Sequence, residues 1–225
     1  MKRLSLFFLL CSLVCISRAQ SVFVRLETNK GNITVMLYDE TPKHRDMFIQ
    51  SIKTGTYKNA LFNRVIKSFV SQGGELDEPI LAREKSHPEI TPVRLPAEIK
   101  PTLFHKKGAF GAGRDDNPAK SSYLNQIYLV EGKKQTDAQL DDMEKKKGIK
   151  FSQKQREIYK KIGGIPYLDG DYTVFGEIVE GIEVAEAINA VATNKEDLPL
   201  TPVIFNPVIL SKKESAKLKK KILDI

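Results

Sequence analysis

The stretch LFNRVIKSFVSQGGE at 61–75 combines a guanidinium at Arg64, an amide at Gln72 and a Gly73-Gly74 pair directly after it. Leu61, Phe62, Val65 and Ile66 give the stretch strand character. Period-2 alternation sets Phe62, Arg64 and Ile66 on one side of that strand. A guanidinium among apolar residues must snorkel outward, pair with an acid, or line a site where something accepts its hydrogen bonds. Snorkelling or pairing is the plain structural reading. Gln72 favours a site: the two glycines let another surface come close, and the amide offers that surface both a donor and an acceptor. The chemistry on offer is directed hydrogen bonding.

Other chemistries find less support. His44, His87 and His105 each lack a second ligand at metal spacing, and solvent-facing histidines are expected at all three. The run GAFGAG at 108–113 suggests a phosphate loop, but no Gly-Lys-Ser/Thr ends it and RDDNP follows instead of a helix. A strand of small, close-packing residues fits better, opening into a turn-rich loop at 114–122. No metal and no nucleotide or redox cofactor is expected. The formal charge is +8, yet the basic residues gather in the first residues, a lysine-rich segment at 133–165 and the last residues. No nucleic-acid motif accompanies them, so nucleic acid is not an expected partner.

The elements that must position Arg64 and Gln72 follow from patterning. Residues 1–19 read as a signal peptide, with a basic start (Lys2, Arg3), an apolar run over 4–15 and Ser17-Arg18-Ala19 before the cut. That run is short for a membrane span, so no integral membrane segment is expected after cleavage. Both cysteines, Cys11 and Cys15, lie in it, and a mature chain would carry a formal charge of +5 once Lys2, Arg3 and Arg18 leave +8. The next stretch reads as a β-hairpin turning at 29–32, and Thr41-Pro42 opens a helix running to about residue 53. Residues 76–107 read as a long connection holding one short strand near 93–99. Strands follow at 125–130, 172–179 and 202–211, with a helix at 182–191. Between them, 133–165 reads as a solvated helix pair capped by Thr136 and Ser152, with narrow apolar stripes at Leu140, Met143, Ile158 and Ile162. Such an insertion is expected to be dispensable for the fold and for work on short peptides. Residues 212–225 read as a solvated basic tail.

Three separated blocks, FNRVIKSFVSQGG at 62–74, NQIYLVEG at 125–132 and YLDGDYTVFGEIVEG at 167–181, resemble in order the signature segments of cyclophilins. The resemblance covers about 21–211 and leaves out the insertion. It implies a mainly β fold: a closed eight-stranded antiparallel barrel capped by two helices, here with a helical insertion at about 133–165 in a domain of residues 20–211. It implies peptidyl-prolyl cis-trans isomerase activity, with Arg64 as the catalytic residue. Phe69, Val70, Tyr128 and Leu168 would form the proline pocket, and Gln72 and Gln126 would hold the peptide backbone. Gly113 falls where the family's backbone grips substrate. Tyr167 and Tyr172 fall where the pocket rim has tryptophan or histidine, and Gly113-Arg114-Asp115 replaces Ala-Asn-Ala.

The implied partners are proline-containing polypeptides, with cyclosporin-like ligands as a second class, and the implied state is a monomer. The insertion is similar to that of exported cyclophilins of Gram-negative bacteria, which with the leader points to the periplasm. Secretion and lipid anchoring are the alternatives. A peptide-binding chaperone or adaptor of the same fold with negligible turnover is the alternative function.

Overall fold

A computed structural model describes residues 22–224, so the leader expected at 1–19 lies outside the described residues. Eight strands close into an antiparallel barrel: β1 (Val22–Thr28), β2 (Gly31–Leu37), β3 (Ala60–Val65), β4 (Val70–Gly74), β5 (Ala109–Ala112), β6 (Gln126–Val130), β7 (Val174–Glu180) and β8 (Val203–Ile209). Their order around the barrel is β1-β2-β7-β5-β6-β4-β3-β8.

Most strands turn large side chains inward, while β4 adds none to the core and its Gly73 leaves room for the Phe62 and Phe205 rings. Phe62 and Phe205 lie 4.7 Å apart between ring centres, as do Phe110 and Phe175. Helix α1 (Pro42–Lys53) adds Phe48 to this aromatic core, and α5 (Ile182–Asn189) adds Ala185 and Ile188. The interior is therefore solid, as close packing of a small barrel requires. A site has to be built outside it. Pro42 starts α1 as expected, but Thr41 makes no side-chain cap. Glu98 does that work from afar, accepting from the backbone N–H of Lys43 and His44 at 3.1 and 3.0 Å.

Four expectations need correction. The segment 76–107 is not only a connection: α2 (Asp77–Ser86) starts with Asp77 and Glu78 and ends with Arg83 and Lys85, matching the helix dipole at both ends. The basic tail is helix α6 (Lys212–Leu223), started by a capping box between Ser211 and Glu214, and it buries Leu218. His44 and His105 are buried rather than solvent-facing; only His87 is exposed. His44 donates from Nδ1 to Glu98 (2.7 Å) and accepts at Nε2 from Ser122 (3.0 Å).

The insertion is the fourth correction. Its helices α3 (Asp137–Lys147) and α4 (Gln153–Lys161) have the expected capping boxes at Thr136 and Ser152. Their buried stripes are narrow, as expected, but they close on one another instead of staying solvated. Leu140, Phe151 and Tyr159 form a core of their own, with Phe104 from the barrel side packed against it, while Ile162 is exposed. The neck is equally tight: Gly164 bridges both Lys133 and Lys106, and a Cβ on Gly132 would lie 2.2 Å from the Gly164 carbonyl oxygen.

Candidate active site

Strand register brings the polar residues into one line. Arg64 pairs with Gln72, Gln72 with Tyr128, and Tyr128 with Gly111, across β3, β4, β6 and β5. Their neighbours along each strand, Val65, Ser71, Leu129 and Phe110, are buried, so this transverse row stands on the outer face of the barrel. Glycine at 111 is required there. A Cβ would fall 2.2 to 2.4 Å from the outer atoms of the Tyr128 ring, which lies across that position.

The row borders a groove of about 690 Å³. Phe69, Val70, Tyr128 and Leu168 give it an apolar pocket, packed as a second cluster outside the barrel core. Leu168 comes from a single helical turn, Pro166–Leu168. Tyr172 stands edge-on to Tyr128, with ring centres 6.3 Å apart, and carries the Arg114 guanidinium 4.7 Å above its face. Burial pushes the Tyr128 hydroxyl well above its ordinary pKa, and burial also raises that of Tyr172.

The polar groups are arranged with direction. Arg64 donates from Nη1 to Gln72 Oε1 at 3.4 Å, and its Nε lies 3.8 Å from the Asp197 carboxylate. The Arg64 side chain stays about 41% exposed and lines the groove, so its guanidinium keeps donors open to groove or solvent. With Oε1 occupied, Gln72 is left to present its NH₂ as a donor. Gln126 differs from the expectation of a backbone-holding amide. Its NH₂ donates to the Glu75 carbonyl (2.9 Å) and to Asp77 (2.5 Å), tying the start of α2 to β6. Its Oε1 occupies the space beside Gly113, where a Cβ would meet it at 1.7 Å. Gly113 lines the groove, but its N–H is already committed to the Gln126 carbonyl and its C=O accepts from Tyr123.

Nine of the ten residues singled out from the sequence line this groove. Tyr167 does not: it is 64% exposed, and the Lys147 ammonium lies 5.1 Å from its ring centre. Apart from Asp115, the sequence reading missed the acidic wall of the groove. Asp77, Glu78 and Leu81 come from α2, Asp115 and Asp116 from the loop after β5, and Glu196 from the loop before β8. Burial would raise the Asp115 carboxyl, yet bonds from Asn117 and Arg94 hold it below its usual range. The acidic start of α2 was the available signal for part of this wall. Among the described residues no cluster of His, Cys, Asp or Glu is arranged to hold a metal, and no helix is long and apolar enough to cross a membrane.

Comparison with known proteins gives a consistent result. A family model described as cyclophilin type peptidyl-prolyl cis-trans isomerase/CLD matches residues 23–208. A Staphylococcus epidermidis protein named "Putative peptidyl-prolyl cis-trans isomerase" is 27% identical over 186 residues, covering 82% of this chain and 89% of that one. A Rhizopus delemar "Peptidyl-prolyl cis-trans isomerase-like 2" is 29% identical over 178 residues, which are 79% of this chain but 26% of that longer protein. The fold matches a Cryptosporidium parvum cyclophilin type peptidyl-prolyl cis-trans isomerase crystallised in the presence of the dipeptide Ala-Pro. That match has a TM-score of 0.60 at 21% identity and covers 84% of this chain and 99% of the other. A Hirschia baltica cyclophilin matches with a TM-score of 0.54 at 17% identity, covering 85% and 76%.

Proposed function

The chain belongs to the cyclophilin-type peptidyl-prolyl cis-trans isomerases, and from that membership we propose that its groove turns X-Pro bonds in exported polypeptides, with Arg64 as the catalytic group. Rotation about such a bond faces a barrier of about 18–20 kcal/mol because C–N resonance must be lost. No covalent intermediate is needed to lower it. In the twisted state the prolyl nitrogen becomes pyramidal and basic, so a donor aimed at it binds that state better than the planar amide. Arg64 is always charged and has donors to spare beyond the one given to Gln72. Phe69, Val70, Leu168 and Tyr128 would hold the proline ring while the carbonyl side turns. The Gln72 NH₂ would take a client carbonyl.

One observation carries this reading. The half-exposed Arg64 guanidinium and the Gln72 amide are cross-strand partners at the edge of an apolar pocket. Exchange of a proline tetrapeptide, followed by magnetisation-transfer NMR, tests it. Protein that binds the peptide without speeding its exchange would leave only a peptide-binding module. We place this activity in the periplasm on the strength of the leader pattern at 1–19, with a monomeric enzyme acting on proline-containing clients. A cyclosporin-like cyclic peptide would compete for the same groove.

A further inference from the structure

The pocket and the insertion share a buried chain of hydrogen bonds. Tyr128 donates its hydroxyl to His105 Nε2 at 2.8 Å. His105 donates from Nδ1 to Asp169 Oδ1 at 2.7 Å, and its backbone N–H reaches the same oxygen at 2.9 Å. The other oxygen of Asp169 accepts the Tyr159 hydroxyl of α4 at 2.6 Å. Tyr159 is 0% and His105 1% exposed.

The direction of each bond follows from the donors. A carboxylate only accepts, so Asp169 fixes a proton on His105 Nδ1, and in the neutral ring Nε2 then keeps its lone pair. That lone pair compels the Tyr128 hydroxyl to point away from the groove, with its ring laid across Gly111. A phenol buried this deeply cannot turn elsewhere without leaving two groups unpaired. The other insertion helix, α3, holds the same region. Lys147, at the end of α3, donates to the carbonyls of Tyr167 (2.5 Å) and Asp169 (2.9 Å) and to the Asp171 carboxylate (2.5 Å). The turn so held is the one that carries Leu168.

We propose that Tyr159, Asp169 and His105 are positioning residues through which the helical insertion sets the Tyr128 ring of the proline pocket, so that α4 belongs to the machinery of the site. This goes beyond the assignment of the groove and rests on it. None of the three touches the groove; they act through Tyr128.

A double-mutant cycle tests the coupling in the full chain. Tyr159→Phe removes one hydroxyl on the insertion and should lower kcat/KM on a proline tetrapeptide about 3- to 10-fold, the range for one lost hydrogen bond. In a Tyr128→Phe background, where the chain no longer ends on the pocket ring, Tyr159→Phe should change kcat/KM by less than about 1.5-fold, because coupled residues are non-additive. An equal loss in both backgrounds, or none in either, would overturn the proposal, because general destabilisation acts alike in both. If Tyr159→Phe does not fold, the wild-type chain with ¹⁵N-labelled histidine decides. His105 must carry its proton on Nδ1, and peptide binding must move its Nε2 resonance; the other tautomer or an unmoved resonance rejects the chain. A wild type without turnover would instead sink the functional assignment, while a folded Arg64→Ala with full turnover would keep the isomerase and remove only the role given to Arg64. The same cycle read in tetrapeptide affinity then still judges the coupling.

Discussion

Arg64 and Gln72 face each other directly across β3 and β4, and the bond between them leaves the guanidinium with free donors and the amide with its NH₂. Two hydrogen-bond donors are thereby set side by side at the mouth of an apolar pocket. Arg64→Ala should lower kcat/KM about 30- to 150-fold, equivalent to roughly 2–3 kcal/mol for a charge-assisted hydrogen bond, while peptide affinity changes far less. Arg64→Lys should recover only part, since an ammonium lacks the planar fork. A coupled isomerisation assay beside peptide titration separates the two quantities. Equal losses in both would mean that Arg64 holds the ground state.

Phe69→Ala should behave differently. The pocket holds the proline ring in the planar and twisted states alike, so binding and kcat/KM should weaken together with kcat little changed. A fall in kcat at unchanged affinity would move Phe69 from the pocket to the chemistry.

Gly111→Ala probes the row from its other end. The new methyl meets the Tyr128 ring, which must leave its place or strain β5. Overpacking of this kind costs about 1–3 kcal/mol. A lower melting temperature together with weaker peptide binding is the expected result. In a Tyr128→Ala background, itself destabilised, Gly111→Ala should lower the melting temperature little further; a further loss as large as in the wild type would place the clash elsewhere.

The acidic lining of the groove predicts charge selection. Asp77, Glu78, Asp115, Asp116 and Glu196 line it together with Arg64 and Arg114. A peptide with lysine flanking proline should bind about 2- to 5-fold better than its glutamate counterpart, the range for exposed pairs. That preference should shrink between about 0.05 and 0.5 M salt, as screening requires. A salt-independent preference would assign it to shape.

Stability should fall with acid through His44. Burial holds its imidazole below the ordinary pKa, against the pull of Glu98. As pH drops, the unfolded chain takes up the proton first, at about 6.5. The contribution of neutral His44 is thus complete above that value and is lost as pH falls through the folded pKa. Burial would raise the Glu98 carboxyl, but bonds from His44 and Lys43 bring it below its ordinary value, so its share is lost only in stronger acid. Melting temperatures from pH 8 to about 2 should show both limbs, and His44→Gln should flatten the first. An unchanged first limb would assign it to another group.

Much of the barrel was legible because strand alternation and its turns are local. Leu129 and Phe205 point inward where period 2 puts them, whereas Phe62 and Val65 both point inward, and Arg64 leaves the side of Phe62, only because a register shift between Phe62 and Arg64 breaks the alternation. Arg64 and Gln72 were legible for the opposite reason, as polar residues where a strand should be apolar. The histidines were not. The partners of His44 lie 54 and 78 residues away, and those of His105 lie 64 and 23 away, so nothing near them in sequence announces burial. Lysines masked α6 and the inner face of α4, where Tyr159 rather than Ile162 turns inward. Tyr167 was placed by resemblance alone, and Lys147, from a segment outside that resemblance, holds it outside.

Closure of the barrel has a consequence for the substrate. Each strand already has a neighbour on both sides, so the sheet has no open edge on which a client could lie as an added strand. A client's main chain must be read by side chains and loops that reach over the sheet, one contact at a time. Such a surface releases its cargo readily and imposes no extended register on it. That suits a catalyst that must meet a proline wherever it falls along a chain and then let go.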